Sequence, residues 1–161
     1  MCQISAVFDV ILGLPIHPLI VHAVVVLLPL SAVTSVVAVV RRGSSRWLTM
    51  LIVAAIITFG MALVAEQSGE ALASRVGEPE AHAEYGEMVK FGAFGLFFAL
   101  ALAWSFERSR KLRRFVTLGK ALVVLAATGA IAITVLAGHS GAAATWSAII
   151  ENTVPQGTQD Q

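Results

Sequence analysis

Four long apolar runs constrain the fold of this chain more than any other feature of its sequence. They cover residues 19–40, 47–65, 86–106 and 115–137, and each holds few charged residues or none. A helix needs about 20 mostly apolar residues to cross the hydrocarbon core of a bilayer. We therefore predict an all-α integral membrane protein in which each run forms one spanning helix.

Composition excludes several other classes of protein. Of the 161 residues, 57% are hydrophobic and 13% are charged. In a soluble domain, about 45–50% of the residues are hydrophobic and about 25% are charged. A soluble fold of this size buries only roughly 70% of its unfolded surface and could not cover so much apolar area. Disorder, nucleic-acid binding and a typical soluble enzyme are excluded. The single cysteine, Cys2, excludes a disulfide framework and a cysteine-rich metal site.

The connections between the runs predict the topology. The connections at 41–46 and 107–114 are short, and short connections join antiparallel neighbours. We therefore predict an up-down-up-down four-helix bundle that forms a single transmembrane domain over residues 1–161. The middle connection, 66–85, is longer and acidic, and we predict a loop there with a short helix ending near Gly77.

The sequence indicates little about the two ends of the chain beyond their polarity and length. Residues 4–16 are apolar but too few to span, so we expect a short interfacial segment on the outer surface. No basic region or small-residue cleavage site occurs there, so we do not expect a signal peptide. Residues 152–161 are predicted to form a polar tail.

Charge distribution predicts the orientation. Nine of the eleven basic residues lie in or beside the two short connections, and nine of the ten acidic residues lie on the opposite side. Connections rich in lysine and arginine stay in the cytoplasm. We therefore expect a multi-pass protein of the cell inner (plasma) membrane, with both termini outside.

The four histidines fall at the predicted outer ends of the helices, although they come from three separate segments. They are His17, His22, His82 and His139. His22 lies inside an apolar run, where ionisable residues are costly and usually functional, and His139 lies among glycines that leave space beside its ring. The simpler interpretations are that His17, before Pro18, starts a helix and that His82 is solvated in the loop.

Several motifs resemble an uncharacterised bacterial membrane family, domain of unknown function 2231. They are residues 13–30 (GLPIHPLIVHAVVVLLPL), 68–71 (SGEA), 82–86 (HAEYG) and 138–146 (GHSGAAATW). The resemblance covers about residues 10–148, and the alanine-rich and valine-rich composition is similar to the actinobacterial branch. It implies a four-helix integral membrane protein. Some relatives are fused to Rieske or c-type cytochrome domains, which implies a redox setting but no particular activity.

The first functional hypothesis is a b-type cytochrome-like electron-transfer component. A haem between helices needs axial histidines on facing segments, an apolar pocket and cations near its propionates. His22 and His139 are the expected axial pair because an antiparallel bundle brings them to similar depth. Arg75 and Lys90 are the cations at that face. We therefore expect these four residues to bind haem b.

Two alternatives stay open. One is a non-haem transition-metal site, since imidazole and carboxylate together suit zinc, iron or copper. Its candidate ligands are His17, His22, His82, His139, Glu66 and Glu70. The other is a non-catalytic membrane scaffold, or a subunit for an outer-face redox partner, which needs the fold alone and no cofactor.

Catalysis is the least favoured interpretation. The sequence contains no phosphate-binding loop, nucleophile elbow or metalloprotease histidine pair. An electron carrier, or a binding or structural membrane protein, is therefore preferred over an enzyme with its own turnover. The expected partners are the lipid bilayer, an outer-face redox protein and further copies of the chain in a homo-oligomer, with no nucleic acid.

Overall fold

A computed structural model describes residues 10–11, 13–41, 45–77 and 80–153. It contains four long helices: α1 (Ile16–Val40), α2 (Ser45–Val76), α3 (Glu80–Arg108) and α4 (Val116–Asn152). A 3₁₀ turn at Arg113–Phe115 leads into α4. All four helices are long and apolar enough to cross a membrane, which confirms the predicted all-α membrane bundle.

The helices pack so that each contacts the next along the chain and α4 closes the ring against α1. Helices α1 and α3 therefore lie at opposite corners of the bundle. The core contains fully buried side chains from every helix, among them Leu28, Leu48, Leu96 and Val123. Large apolar side chains such as Leu125 stay exposed on the outside, as contact with lipid requires.

Small residues allow the closest approach between α3 and α4. A Cβ atom at Gly119 would lie 3.0 Å from Cα of Ala103, and one at Gly92 would lie 3.3 Å from Cα of Ala130. Backbones that approach this closely leave no room for a larger side chain. These glycines serve helix packing.

The predicted loop at 66–85 is wrong in its main feature, because nearly all of its described residues are helical. Helix α2 continues to Val76 and ends at Gly77, whose φ of +83° suits a residue without a side chain. Helix α3 then begins at Glu80. This segment is rich in alanine, leucine and glutamate, which favour helix, so both helices continue past the apolar spans. His82 consequently lies in α3 and not in a loop.

The segment before α1 is described only in part. Residues 1–9 and 12 lie outside the described residues, as do residues 154–161 of the predicted polar tail. Strand β1 (Val10–Ile11) pairs antiparallel with β2 (Leu14–Pro15) around Gly13, whose φ is +82°. The chain therefore turns sharply just before α1, and its placement at a membrane interface stays a prediction.

Candidate functional site

Two of the four histidines meet at one end of the bundle. His17 is the second residue of α1 and His82 is the third residue of α3. The centroids of their rings are 6.4 Å apart, and the ring planes are inclined by 77°. Because α1 and α3 occupy opposite corners, the two rings meet across the middle of the bundle. This end, marked by His17 and His82, is termed the histidine end.

Helix α2 holds the ring of His17. Nδ1 of His17 lies 2.8 Å from the carbonyl oxygen of Ala65, and since a carbonyl can only accept, Nδ1 donates the hydrogen. In the neutral ring, Nε2 then keeps its lone pair. The Ser68 hydroxyl donates to the same carbonyl at 3.0 Å and lies 3.4 Å from Nδ1. A Cβ atom at Gly69 would lie 3.0 Å from Cε1 of His17, so the missing side chain makes room for the ring.

Helix α4 holds the ring of His82 in the same way. Nδ1 of His82 lies 3.2 Å from the carbonyl oxygen of Ala137, and the Ser140 hydroxyl donates to that oxygen at 3.0 Å. A Cβ atom at Gly141 would lie 3.0 Å from both Cε1 and Nδ1 of His82. Both imidazoles are therefore hydrogen-bonded through Nδ1, which leaves Nε2 as the acceptor nitrogen of each neutral ring.

Each arrangement of a histidine on an Ala-x-x-Ser-Gly segment is termed a clamp. The first segment is 65–69 and the second is 137–141. Sequence reasoning gave no role to Ser68, Gly69 and Ser140, and it associated Gly141 with His139. The repeated segment, which occurs once in the second helix of each hairpin, was the signal that could have identified them.

The structure does not bring His22 and His139 to the clamps. The ring of His22 is exposed, and its Nδ1 is hydrogen-bonded to the carbonyl of Pro18 in the same helix. The ring of His139 is also exposed. Within the described ranges, neither ring contacts the His17–His82 pair. The axial pair expected from the sequence therefore differs from the pair that the fold assembles.

The structure describes the side chains of three of the four charged candidates, Glu66, Glu70 and Lys90. Lys90 on α3 forms an ion pair with Glu66 on α2, with side chains 18% and 21% exposed, and lies 3.3 Å from Glu87. Lys90, which was expected to contact a haem propionate, is thus already paired with the carboxylates of Glu66 and Glu87. Glu70 is exposed. The side chain of Arg75 lies outside what the structure describes.

Metal-ligating side chains of the described residues do not gather in larger groups. Among the described residues, no group of three or more histidine, cysteine, aspartate or glutamate side chains could hold a metal ion. The site therefore offers two imidazoles without a third side-chain ligand in the described part of the chain.

The family model described as "Predicted membrane protein (DUF2231)" matches residues 13–153. The chain belongs to this family. The matched residues include both histidines of the clamps and both Ala-x-x-Ser-Gly segments, and the match agrees with the four helices in indicating a membrane protein. Comparison with curated proteins and with solved structures finds no match. Membership of the actinobacterial branch stays a prediction.

Proposed function

We propose that this member of the family is a membrane electron-transfer component that binds haem b between His17 and His82. The observation that carries the proposal is the 6.4 Å separation of the two ring centroids. If both Nε2 atoms pointed at one shared metal, two metal–nitrogen bonds of about 2 Å, extended along a straight line to the ring centres, would place the centroids roughly 6.3 Å apart. Bound haem would supply reversible one-electron transfer.

The hydrogen bonds of the clamps support this proposal. Histidines that bind a metal through one ring nitrogen almost always donate the other N–H to a carbonyl or carboxylate, which fixes the tautomer and the ring orientation. His17 donates to Ala65 and His82 donates to Ala137. Each ring is thus held in the tautomer that leaves Nε2 available as a ligand.

The two imidazoles that the described residues bring together suit haem better than a bare metal ion. A bare transition-metal ion usually takes three or four protein ligands, whereas haem brings its own nitrogens and needs one or two axial ligands from the protein. Two imidazoles from opposite corners of the bundle suit the second case. The pair His22 and His139 is less suited to either cofactor because both rings are exposed.

Charge supports an outward orientation for the histidine end. The opposite end, termed the basic end, carries the described basic residues of the short connections: Arg41, Arg46, Arg108, Arg110, Lys111, Arg113 and Arg114. Such residues favour the cytoplasmic side. A protein that exchanges electrons with the proposed haem would then approach from outside the cytoplasm.

The test is the visible spectrum of the full chain, purified in detergent from cells supplied with a haem precursor. We expect stoichiometric haem by the pyridine haemochrome assay and a low-spin spectrum after reduction with dithionite. Elemental analysis of the same sample separates the alternatives. A colourless protein with a stoichiometric transition metal would replace haem by a bare ion, and a protein with neither would leave the scaffold interpretation.

A further inference from the structure

The two clamps share their chain order and most of their distances, although Ser68 is buried and its Oγ also lies 3.4 Å from Nδ1 of His17. In each hairpin, the first helix supplies the histidine and the second helix supplies the alanine carbonyl, the serine and the glycine. The serine-to-carbonyl distance is 3.0 Å in both, and the histidine-to-carbonyl distances are 2.8 Å and 3.2 Å. The glycine makes the same space in both clamps, since a Cβ atom built on it would lie 3.0 Å from the nearest atom of the imidazole.

The repeat is confined to the positions that hold the ring. Between the alanine and the serine, the first segment has Glu66 and Gln67, whereas the second has Gly138 and His139. The ion pair of Glu66 with Lys90 therefore has no counterpart at the glycine of the second hairpin. Only the alanine, the serine and the glycine repeat, and these are the residues whose atoms meet the imidazole or leave room for it.

We infer that the site consists of two equivalent half-sites, one from each hairpin, in which Ser68 and Ser140 set how strongly each imidazole donates electrons to the iron. This inference rests on the proposed haem site. It makes the two serines positioning residues, because each acts on the iron only through a carbonyl and a histidine.

The physical reason is that the serine and the histidine share one acceptor. A hydrogen bond from the serine hydroxyl uses part of the lone-pair density of the carbonyl oxygen. The second hydrogen bond to that oxygen, from Nδ1–H of the histidine, is therefore weaker. Without the serine hydroxyl, the hydrogen bond from Nδ1–H to the carbonyl oxygen strengthens, and Nε2 becomes a more basic ligand. A more basic ligand stabilises oxidised iron, so removal of either hydroxyl should lower the reduction potential.

Helix α2 supplies a matched control. The Ser74 hydroxyl donates to the carbonyl of Ala71, also three residues earlier, at 2.7 Å. No histidine among the described residues shares that carbonyl. Ser74→Ala therefore removes the same kind of local hydrogen bond in the same helix without touching a clamp.

The test compares Ser68→Ala, Ser140→Ala, the double variant and Ser74→Ala in the full chain, with haem content measured before the potential is titrated spectroscopically. We expect haem to be retained and each clamp variant to shift the potential downward by a similar amount. The double variant should shift it about twice as far, and Ser74→Ala should leave it unchanged. Unchanged or raised potentials in haem-loaded clamp variants would overturn the inference and leave the haem proposal intact.

Two further outcomes are informative. Wild-type protein that binds no haem would remove the proposed function, and this inference with it. If the alanine variants lose haem, Ser68→Cys and Ser140→Cys supply a group of similar size with a weaker donor. Those variants should then give smaller downward shifts, and the absence of any shift would overturn the inference.

Discussion

The ring of His17 occupies the space in which a side chain at Gly69 would lie, with Cε1 of the ring 3.0 Å from the position of a Cβ atom. Gly141 has the same relationship to the ring of His82. Each ring is hydrogen-bonded to the backbone of the helix that it approaches. It could not move away from a new methyl group without weakening that bond. The histidines therefore explain why these two helix positions are glycine.

Alanine at Gly69 or Gly141 should displace the imidazole and weaken its Nδ1 hydrogen bond. A lost buried hydrogen bond costs on the order of 1–3 kcal/mol, partly offset by about 1 kcal/mol from the better helix propensity of alanine. We expect lower haem content and a lower Tm in detergent. Gly138→Ala is the control because nothing lies within 4 Å of a Cβ atom there; it should keep its haem, and its Tm should be unchanged or slightly raised by the better helix propensity of alanine. Equal behaviour of all three variants would contradict the clamp geometry.

The ion pair of Lys90 with Glu66 should contribute to stability because both side chains are largely shielded. Lys90→Met or Glu66→Gln leaves one charge without its main partner, so each single variant should have a lower Tm. The double variant removes both charges and should regain part of that loss. Thermal unfolding of the four proteins forms a double-mutant cycle, with the exposed Glu70→Gln as a neutral control. Simply additive losses would show that the pair is not coupled.

The orientation can be tested by labelling single cysteines. In a Cys2→Ser background, Ser74→Cys marks the histidine end and Arg110→Cys marks the basic end. Both positions are exposed. We expect a membrane-impermeant maleimide to label the first variant in intact spheroplasts and the second only after permeabilisation, because basic residues stay cytoplasmic. The opposite pattern would place the histidine end in the cytoplasm and its electron-transfer partner there too.

The fold could be predicted from the sequence because a bilayer allows few solutions for long apolar runs. The ends of the helices could not be predicted in the same way. At 66–85, polar residues show only that the chain has left the hydrocarbon core. Helix continues there to Val76 and resumes at Glu80, since its residues favour helix in water as well.

The sequence predicted His22 and His139 as the axial pair, whereas the structure brings the rings of His17 and His82 together at that end of the bundle. Depth in the membrane gives the position of a residue along a helix and not the face on which it lies. His22 follows His17 by five residues, which is about 140° around α1. His139 is two residues from Ala137, about 160° around α4. Because Ala137 and Gly141 share the inward face of α4, helical periodicity could have placed His139 outside.

The most direct test of the haem site is the reduced visible spectrum of four single variants of the full chain. His17→Ala and His82→Ala should each abolish the low-spin spectrum or convert it to a high-spin one, because each would remove a proposed axial ligand. His22→Ala and His139→Ala should keep the wild-type spectrum and haem content. Loss of the spectrum in the latter two variants, with His17→Ala and His82→Ala unaffected, would contradict the account and return the axial pair to His22 and His139.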